Sequence, residues 1–324
     1  MKAVALSAAL FCTMAPALHV QEALMVGVRS DATGMAHTSE ALVDTTFSAF
    51  PGPLEEDGFE GYVAFICDSA LVEMQTVFGA ELSIEVVPLL AAEVFPALRS
   101  GEIDIICSPT TATKKRLSNY ISSPPVFLSG VTYAQRKPVG EAATCSALVG
   151  SLGGSTSGLA LIATIAQSGS FRDDGIILER FRLNDDSWQE VYADCDDPPA
   201  APIRQYDSHV DLAKAFCSGE IKYYVGDYEI VALTLQAYRK TGPTCEYAIS
   251  DRMFSEERYV ILGNTYRTSP EKIRFNATFF KILNRQIFFQ PSILDKAFED
   301  SCPKGQASRK LKTLYWAMRG HVDE

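Results

Sequence analysis

Short apolar runs alternate with segments of helical spacing along this chain, and the connections between them are short. The runs Ala23–Arg29, Leu82–Leu90 and Ile103–Cys107 are apolar and contain β-branched residues, so each predicts a strand. Gly61–Phe78 and Ala91–Arg99 lie between these runs and predict helices. The order strand, helix, strand, helix, strand predicts an α/β domain with a mostly parallel sheet.

A second set of elements with the same order begins at Ala147–Val149. A glycine-rich turn, Gly150–Thr156, follows this predicted strand and precedes a predicted helix, Gly158–Gln167. The other predicted elements are a strand within Phe171–Leu183, a helix at His209–Phe216, a strand at Ile221–Val225, a helix at Glu229–Arg239, a strand at Tyr259–Leu262, and helices near Ile273–Phe289 and Ser308–Met318. With 324 residues, 47% of them hydrophobic, the chain is long enough for two domains that each bury a core.

One helix–turn–strand pattern occurs twice, at Leu98–Ile103 (LRSGEI) and again at Phe216–Ile221 (FCSGEI). Polar residues follow the strand in each case, Ser108–Thr111 in the first copy and Gly226-Asp227 in the second. In open α/β sheets ligands bind beyond the carboxyl ends of the strands, so two similar lobes facing each other would enclose a ligand cleft. A coincidence of a few residues is the alternative explanation.

The first residues of the chain have the features of a secretory signal peptide. Lys2 precedes a short apolar run, Ala3–Ala15, which ends in Ala15-Pro16-Ala17, a small-residue cleavage site. We therefore expect residues 1–17 to be removed and the mature protein to be soluble outside the cytoplasm, with no later membrane-spanning segment. An uncleaved anchor is the alternative, although the run is shorter than the roughly 20 apolar residues that span a bilayer.

Charge and composition argue against several functional classes. Asp and Glu outnumber Lys and Arg by 40 to 29 and no basic block occurs, which argues against binding to nucleic acid or to an acidic membrane surface. No Cys-x-x-Cys occurs and the four histidines are scattered, so we expect no metal site and no cofactor. The sequence leaves unassigned the pairing of Cys145, Cys195, Cys217, Cys245 and Cys302.

Three features near the predicted strand ends have side chains or backbone groups that suit a small charged ligand. Arg116 lies early in a helix after Thr111-Ala112-Thr113, and its guanidinium can hold a carboxylate with two parallel hydrogen bonds. The alternative is a surface arginine beside two solvated lysines. The Gly150–Thr156 turn can offer backbone N–H groups to an anion, although it lacks the G-K-[ST] of a nucleotide-binding loop and can equally be an ordinary strand–helix turn.

Asp227 follows a predicted strand and a glycine, and its carboxylate can pair with an ammonium group or cap the next helix. The residues do not decide between these two roles. A site for an anion and a site for a cation on facing lobes would suit a zwitterion.

The stretch Leu98–Lys137 resembles the signature region of the extracellular solute-binding proteins of family 3, which are the amino-acid receptors of ABC importers. The residues that match the family pattern here are Ser100, Gly101, Asp104, Thr111, Thr113, Arg116, Ile121, Ser122, Pro124, Phe127, Ser129 and Gly130. Weaker matches lie at Asp57–Cys67, Leu148–Thr156, Ser218–Asp227 and Tyr259–Leu262, so the resemblance covers roughly Ala23 to Cys302.

The resemblance implies the two-lobed type II fold of periplasmic binding proteins, with a mostly parallel sheet flanked by helices in each lobe. It implies that residues 18–135 and 250–324 form the first lobe, that residues 136–249 form the second, and that two hinge strands near Ala134–Lys137 and Ala248–Met253 join them.

The family also implies a function and a set of binding residues. Arg116 would bind the α-carboxylate of an amino acid, helped by Thr111 and by the turn at Ser155 and Thr156, while Asp227 would bind the α-ammonium. The backbone carbonyl near Ser108 can assist. The expected protein is a monomeric periplasmic receptor that delivers an L-amino acid or a similar small zwitterion to an ABC permease, and it is not an enzyme.

The sequence departs from the family pattern at several positions near the expected ligand. Phe65 stands where an acidic residue is common, Lys222 replaces the usual Asp after the second Ser-Gly turn, and Asp31–His37 replaces the usual P-P-F. An apparent insertion spans Ser30–Pro53, so the aromatic residue that covers the ligand would be Phe47 or Phe50, or would be absent.

Arg29 and Asp31 lie beside the expected pocket and leave the side-chain specificity open. Arg29 would favour an acidic ligand and Asp31 a basic or polar one, or the two would pair with each other. Some relatives have a cysteine on the first helix and another before the Thr-rich turn, which implies a disulfide between Cys67 and Cys107; two free thiols are the alternative.

Two other functions suit the same fold. One is an enzyme of the cyclohexadienyl dehydratase type, which needs a general acid in the cleft; His37 is the histidine best placed in the sequence for that role. The other is a ligand sensor that reports to a partner other than a permease.

Overall fold

The computed structural model describes residues 22–38, 51–136, 147–158, 160, 196, 203–243, 245–266, 269–289 and 292–301. Several expectations fall on residues outside these ranges. They are the signal peptide, Phe47 and Phe50, most of the predicted helix at Gly158–Gln167, the predicted elements within Phe171–Leu183 and Ser308–Met318, and the cysteines at 145, 195 and 302.

The described residues form alternating strands and helices. The strands are β1 (Ala23–Arg29), β2 (Asp31–Ala32), β3 (Ala36–Thr38), β4 (Phe59–Glu60), β5 (Ser83–Leu89), β6 (Ile105–Ile106), β7 (Ile121–Ser122), β8 (Phe127–Ser129), β9 (Val131–Arg136), β10 (Ala147–Leu152), β11 (Ile203–Tyr206), β12 (Ile221–Asp227), β13 (Tyr247–Ile249), β14 (Glu257–Tyr259) and β15 (Leu262–Gly263). The helices are α1 (Pro53–Glu56), α2 (Tyr62–Phe78), α3 (Val94–Ser100), α4 (Lys114–Asn119), α5 (His209–Ser218), α6 (Tyr228–Thr241), α7 (Pro270–Phe288) and α8 (Ile293–Ser301).

Two five-stranded sheets organise the molecule. In the first, with the order β5-β1-β6-β15-β7, β1 is parallel to β5 and β6, and β15 is antiparallel to its two neighbours. In the second, with the order β11-β10-β12-β9-β13, β10 is parallel to β11 and β12, and β9 runs antiparallel to both of its neighbours. The mostly parallel sheets predicted from the alternating pattern are confirmed.

The chain crosses between the two sheets at two places that lie side by side. Between β8 and β9 it passes through Gly130, where an added Cβ would lie 2.5 Å from the carbonyl oxygen of Ser255 in the return segment. The return segment between β13 and β14 is held along β9, since the Thr132 hydroxyl donates to the carbonyls of Ser250 (2.9 Å) and Arg252 (2.8 Å). These crossings make a two-lobed fold, and the lobe boundaries given above remain a prediction.

The predicted strand at Tyr259–Leu262 is wrong in one respect, because the structure contains two short strands there. Tyr259 ends β14, which pairs with β8, and Leu262 begins β15, which joins the first sheet. Between them, the backbone N–H of Val260 donates to the carbonyl of Thr110 and that of Ile261 to the Ser123 hydroxyl. These two hydrogen bonds hold the chain at the point where it leaves its pairing with β8 and before it joins the first sheet as β15.

Helix α2 is the central helix of the first lobe. It packs against α7 and α8, and its apolar side chains lie in a core with Phe275 and Phe279. By length and composition the segment Tyr62–Glu81 is long and apolar enough to cross a membrane. The expectation that no segment after the signal peptide would be so was therefore wrong. Within the fold, 56% of the apolar window of this segment is buried. Its apolar character is therefore explained by packing in the protein core.

Each lobe contains one disulfide among the described residues. Cys67 on α2 is bonded to Cys107 after β6, which is the pair that the family resemblance implied. Cys217 at the end of α5 is bonded to Cys245 ahead of β13, a pairing that the sequence left open. Each bond joins a helix to the sheet region of its own lobe.

Candidate functional site

A cleft lies where the carboxyl ends of strands from both sheets meet. The first lobe contributes Arg29, Ala91, Val94, Phe95, Pro109, Thr110, Thr111 and Arg116 to its lining, and the second contributes Leu152, Gly154, Ser155, Thr156, Ser157, His209, Asp227 and Ile230. The cleft is therefore the candidate ligand site.

Arg116 is fixed in the cleft by contacts on two sides. Thr113 caps α4 by accepting the backbone N–H of Arg116 (3.3 Å), and the guanidinium Nη1 donates to the carbonyl of Thr111 (2.8 Å). The guanidinium carbon lies 4.0 Å from the ring centre of Phe95. Burial lowers the pKa of Arg116 to about 10, so the side chain remains charged at neutral pH.

The two lysines beside Arg116 differ from it. Lys114 and Lys115 are exposed, whereas Arg116 is half-buried between Thr111 and Phe95. The alternative of a solvated surface arginine therefore does not describe this residue.

Asp227 occupies the N-cap position of α6 but its side chain makes no capping hydrogen bond. The carboxylate instead accepts hydrogen bonds from the hydroxyls of Ser157 (3.2 Å) and Tyr259. Burial raises the pKa of Asp227 to about 6, against the effect of the Tyr259 hydrogen bond. The sequence left two roles open for Asp227, pairing with an ammonium group and capping the next helix. In the structure its side chain does not cap the helix.

The glycine-rich turn links the two lobes through side-chain hydroxyls. Gly154 has φ +70°, and a helix begins at Thr156. The Oγ1 atoms of Thr156 and Thr111 lie 3.1 Å apart, which joins the second lobe to the first. The Ser155 hydroxyl donates to the carbonyl of Leu152 (2.8 Å) and so closes the turn on itself.

Arg29 and Asp31 form a buried ion pair at the end of β1. Arg29 donates from Nε to Oδ1 of Asp31 (3.0 Å) and from Nη2 to Oδ2 (3.2 Å), and its backbone N–H donates to the hydroxyl of Ser108 (2.7 Å). Burial alone would raise the pKa of Asp31, but the charge and hydrogen bonds of Arg29 lower it below its ordinary value. Asp31 also accepts the backbone N–H of His209 (3.3 Å), the first residue of α5 in the other lobe.

A comparison of the sequence with models of known protein families identifies the family of this chain. The family model for bacterial extracellular solute-binding proteins, family 3, matches residues 55–287. The chain belongs to this family. No curated protein sequence matches the chain.

Solved structures of solute-binding proteins share the fold at low sequence identity. An ancestral arginine-binding protein bound to glutamine is 16% identical with a TM-score of 0.56, and the match covers 88% of this chain and 99% of that one. The cysteine-binding protein from Campylobacter jejuni is 12% identical with a TM-score of 0.57, covering 88% and 92% of the two chains. An ancestral amino-acid-binding protein, a precursor of cyclohexadienyl dehydratase, is 18% identical with a TM-score of 0.52, covering 87% and 96%. The fold is that of the type II periplasmic binding proteins.

The structure brings together most of the candidate binding residues expected from the sequence. Arg29, Thr111, Arg116, Ser155, Thr156 and Asp227 all line the cleft. Ser108 and Asp31 contact the lining residue Arg29. The binding role of each residue remains a prediction.

Several residues of the cleft were missed from the sequence. Phe95 is half-buried on α3, packs against the cluster that contains Val94, Ala97 and Leu98, and also contacts the guanidinium of Arg116, so helical spacing alone does not distinguish it from a core residue. The neighbours of Asp227 have no comparable sequence pattern, because Tyr259 reaches it from the other lobe.

The departures from the family pattern have separate structural explanations. Phe65 is buried in the core of the first lobe, and Lys222 is half-buried on β12, where burial lowers its pKa. His37 is fully buried in the three-stranded sheet of β2, β3 and β4, and its Nδ1 accepts the backbone N–H of Gly34 (3.3 Å). His37 is not among the lining residues of the cleft.

Within the described ranges, no group of three or more His, Cys, Asp or Glu side chains is arranged to hold a metal ion.

Proposed function

We propose that this protein is the substrate-binding protein of an ABC importer and that it binds an L-amino acid in the cleft between its lobes. A signal peptide at residues 1–17 directs it to the periplasm, and the closed, loaded form docks as a monomer on a membrane permease. The observation that carries the proposal is that a cation, Arg116, and a carboxylate, Asp227, line one cleft from opposite lobes. The family membership and the amino-acid ligands named for its structural neighbours support the same ligand class.

Arg116 holds the α-carboxylate of the ligand in this proposal. Its Nη1 bond to Thr111 and the ring of Phe95 beneath it restrict the guanidinium, so less freedom is lost when the ligand binds. Two parallel charge-assisted hydrogen bonds then orient the carboxylate. The Thr111 hydroxyl and the N–H groups of the turn at Ser155-Thr156 lie along the same cleft and act as further donors.

Asp227 holds the α-ammonium. Its carboxylate is buried and has a raised pKa in the unliganded protein, so the ligand's ammonium supplies the counter-charge that burial removed. Ser157 and Tyr259 hold the carboxylate in one orientation.

A ligand bound to both residues bridges the two lobes. It shifts the open–closed equilibrium only by its differential affinity for the two states, and contacts to both lobes exist only in the closed state. Hydrogen bonds such as Thr111–Thr156 and Asp31–His209 join the lobes in the same state. Micromolar binding needs about −8 kcal/mol, which several charge-assisted hydrogen bonds to a desolvated zwitterion can supply.

The first experiment is a thermal-shift screen of the mature protein against the L-amino acids, with a few opines and dipeptides, followed by calorimetry on each hit. Arg116→Ala should weaken binding by at least about 2 kcal/mol, or about 30-fold in Kd, because it leaves a buried carboxylate without its partner. Lys115→Ala is the matched control, since Lys115 is the exposed cation next to it on the same helix. Equal affinities for the two variants would remove Arg116 from its assigned role.

The importer role is tested separately from binding. Deletion of the gene should abolish high-affinity uptake of the ligand by intact cells, and the wild-type gene should restore it. Binding without any effect on uptake would favour the sensory alternative, in which the loaded form reports to a different partner.

An enzyme of the cyclohexadienyl dehydratase type remains the alternative on this fold, because one structural neighbour is a precursor of such an enzyme. His37 has little support as its general acid, since it lies in a buried sheet away from the cleft lining. Asp227, with its raised pKa, is the stronger acid candidate. Formation of the aromatic product from prephenate or arogenate, and its loss in Asp227→Asn, would decide for the enzyme.

A further inference from the structure

The cleft lining contains a third charged residue besides the two that we assign to the α-groups of the ligand. Among the described residues that line the cleft, the charged side chains are Arg29, Arg116 and Asp227. With Arg116 and Asp227 assigned to the carboxylate and the ammonium, Arg29 is left to face the rest of the ligand. Val94, Phe95 and Ile230 supply apolar surface in the same cleft, which suits the aliphatic part of a side chain.

Arg29 presents only part of its guanidinium to the cleft. Nε and Nη2 are both bonded to the carboxylate of Asp31, at 3.0 and 3.2 Å. Nη1 makes no hydrogen bond to any of the described residues, and Arg29 lines the cleft. A hydrogen-bond acceptor on the ligand is the partner that suits the two N–H groups of Nη1.

Asp31 balances the charge of Arg29, and both of its carboxylate oxygens already accept hydrogen bonds from the protein. Oδ1 accepts from Nε of Arg29, and Oδ2 accepts from Nη2 and from the backbone N–H of His209 (3.3 Å). His209 adds no charge, since burial lowers its pKa to about 4. The region around Arg29, Asp31 and His209 is therefore polar but carries no net charge.

A charged ligand side chain would lack a net counter-charge in this environment. A carboxylate would meet a guanidinium whose charge Asp31 already balances, and an ammonium or guanidinium would meet Arg29 without a free acceptor on Asp31. Burying either charge costs more than burying an uncharged amide whose carbonyl oxygen is hydrogen-bonded.

We infer that the cleft selects an amino acid whose side chain is uncharged and ends in a hydrogen-bond acceptor, a carboxamide above all. Nη1 of Arg29 donates to that acceptor, and Asp31 excludes acidic side chains by balancing the charge of Arg29. This inference rests on the proposed function, because it takes the α-groups to be bound by Arg116 and Asp227.

The test is calorimetry of the wild-type protein with five ligands: L-glutamine, L-asparagine, L-glutamate, L-methionine and L-lysine. We expect glutamine or asparagine to bind at least tenfold more tightly than methionine, which has a similar shape but a weak acceptor, and than glutamate and lysine. A stronger affinity for glutamate, lysine or methionine than for both amides would overturn the inference.

Two variants test the assigned roles. Asp31→Asn removes the balancing charge with little change of shape, so the ratio of the glutamate to the glutamine affinity should rise at least tenfold. Asp207→Asn is the control, because it removes an exposed carboxylate two residues from His209 and should leave the ratio unchanged. An unchanged ratio in Asp31→Asn would overturn the role of Asp31.

Arg29→Lys keeps the positive charge but replaces the guanidinium fork, and it serves where Asp31→Asn fails to fold. It should reduce the preference for glutamine over methionine to less than threefold, and a preserved preference would overturn the role of Nη1. If no amino acid binds, or if binding is insensitive to Arg116→Ala, the proposed function itself fails. Tight, Arg116-dependent binding of an acidic or basic amino acid would defeat only this inference.

Discussion

The hydroxyl of Tyr259, on β14, donates to the carboxylate of Asp227, at the end of β12, and so joins the two lobes at the cleft. Both residues are buried, and the carboxyl group has a raised pKa of about 6, chiefly through burial. The carboxyl group that we propose binds the ligand's ammonium therefore lies at the boundary between its neutral and its ionised form near physiological pH. Ligand affinity should depend on pH for this reason.

The expected pH dependence follows from the direction of the Asp227 shift. Below about pH 6 the carboxyl group binds a proton that it must lose when the ammonium arrives, so affinity should fall by up to tenfold per pH unit below pH 6 and be level above it. Calorimetry between pH 4.5 and 8 measures this directly. In Asp227→Asn the affinity should be weaker at every pH and the step near pH 6 should be lost.

The contribution of Asp227 to the stability of the unliganded protein should show the opposite trend over the same range. Because the pKa of Asp227 is higher in the folded protein than its ordinary value of 3.8, the stability that its neutral form contributes is complete below about pH 4 and is lost as the pH rises through about 6. His209 acts in the opposite direction, because its pKa of about 4 in the folded protein lies below its ordinary value of 6.5, so its contribution to stability rises between about pH 4 and 6.5. The contribution of Asp227 is therefore measured as the difference between the wild type and Asp227→Asn in urea unfolding at each pH. An affinity that is constant from pH 5 to 8 would contradict the assignment of Asp227 to the ammonium.

Phe95 should contribute to ligand affinity through Arg116. The centre of its ring lies 4.0 Å from the guanidinium carbon, and Phe95→Leu removes this cation–π contact and loosens the side chain that we propose binds the carboxylate. We expect a loss of about 1 kcal/mol in binding, roughly fivefold in Kd. Phe254→Leu is the control, because that ring lies near Arg252, 5.6 Å from its guanidinium carbon, and not in the cleft. Equal affinities in the two variants would show that the ring does not position Arg116.

The sequence predicted the edge of each sheet at which the site lies, and the reason is local. Asp227 is the last residue of β12, while Thr111 and Arg116 lie in the segment and the short helix that follow β6. Parallel strands bring their carboxyl ends to one edge of a sheet. The lobes, the main strands and the helices followed from the same alternation of apolar runs and helical segments.

Other features depend on contacts between distant segments, which no local pattern encodes. The sequence left three roles open for Arg29 and Asp31, and only the folded geometry shows the ion pair. Tyr259 reaches Asp227 because the chain leaves β14 for β15 at this point, whereas the sequence predicted one continuous strand. The pairing of Cys217 with Cys245 likewise depends on how α5 packs beside β13.

The disulfide of the first lobe should stabilise the fold without contributing to ligand affinity. Cys67 and Cys107 are 40 residues apart in sequence, and releasing a loop of that length in the unfolded chain costs about 2–4 kcal/mol of stability. The double variant Cys67→Ala, Cys107→Ala should therefore lower the free energy of unfolding in urea by this amount, while its Kd changes less than threefold. Adding a reductant should lower the wild-type midpoint by more than that of the variant, because the variant keeps the Cys217–Cys245 bond but has lost the bond of the first lobe. A tenfold loss of affinity at unchanged stability would show that the bond instead positions Ser108 and the strand end beside it.

Gly154 and Ala92 meet across the lobes and give a test of closure itself. Gly154 has φ +70°, and a Cβ at this position would lie 2.7 Å from the Cα of Ala92, on the first lobe. Gly154→Ala should therefore obstruct the closed state, weakening ligand binding at least tenfold, in addition to a loss of about 1 kcal/mol in stability from the strained backbone. Gly153→Ala is the matched control, because its nearest neighbour would be 3.4 Å away within the same lobe and its backbone is unstrained. Small-angle scattering with and without ligand measures closure: the wild type and Gly153→Ala should become more compact on binding, and Gly154→Ala should not. Full compaction of Gly154→Ala would mean that the lobes close in an arrangement where Gly154 and Ala92 do not touch.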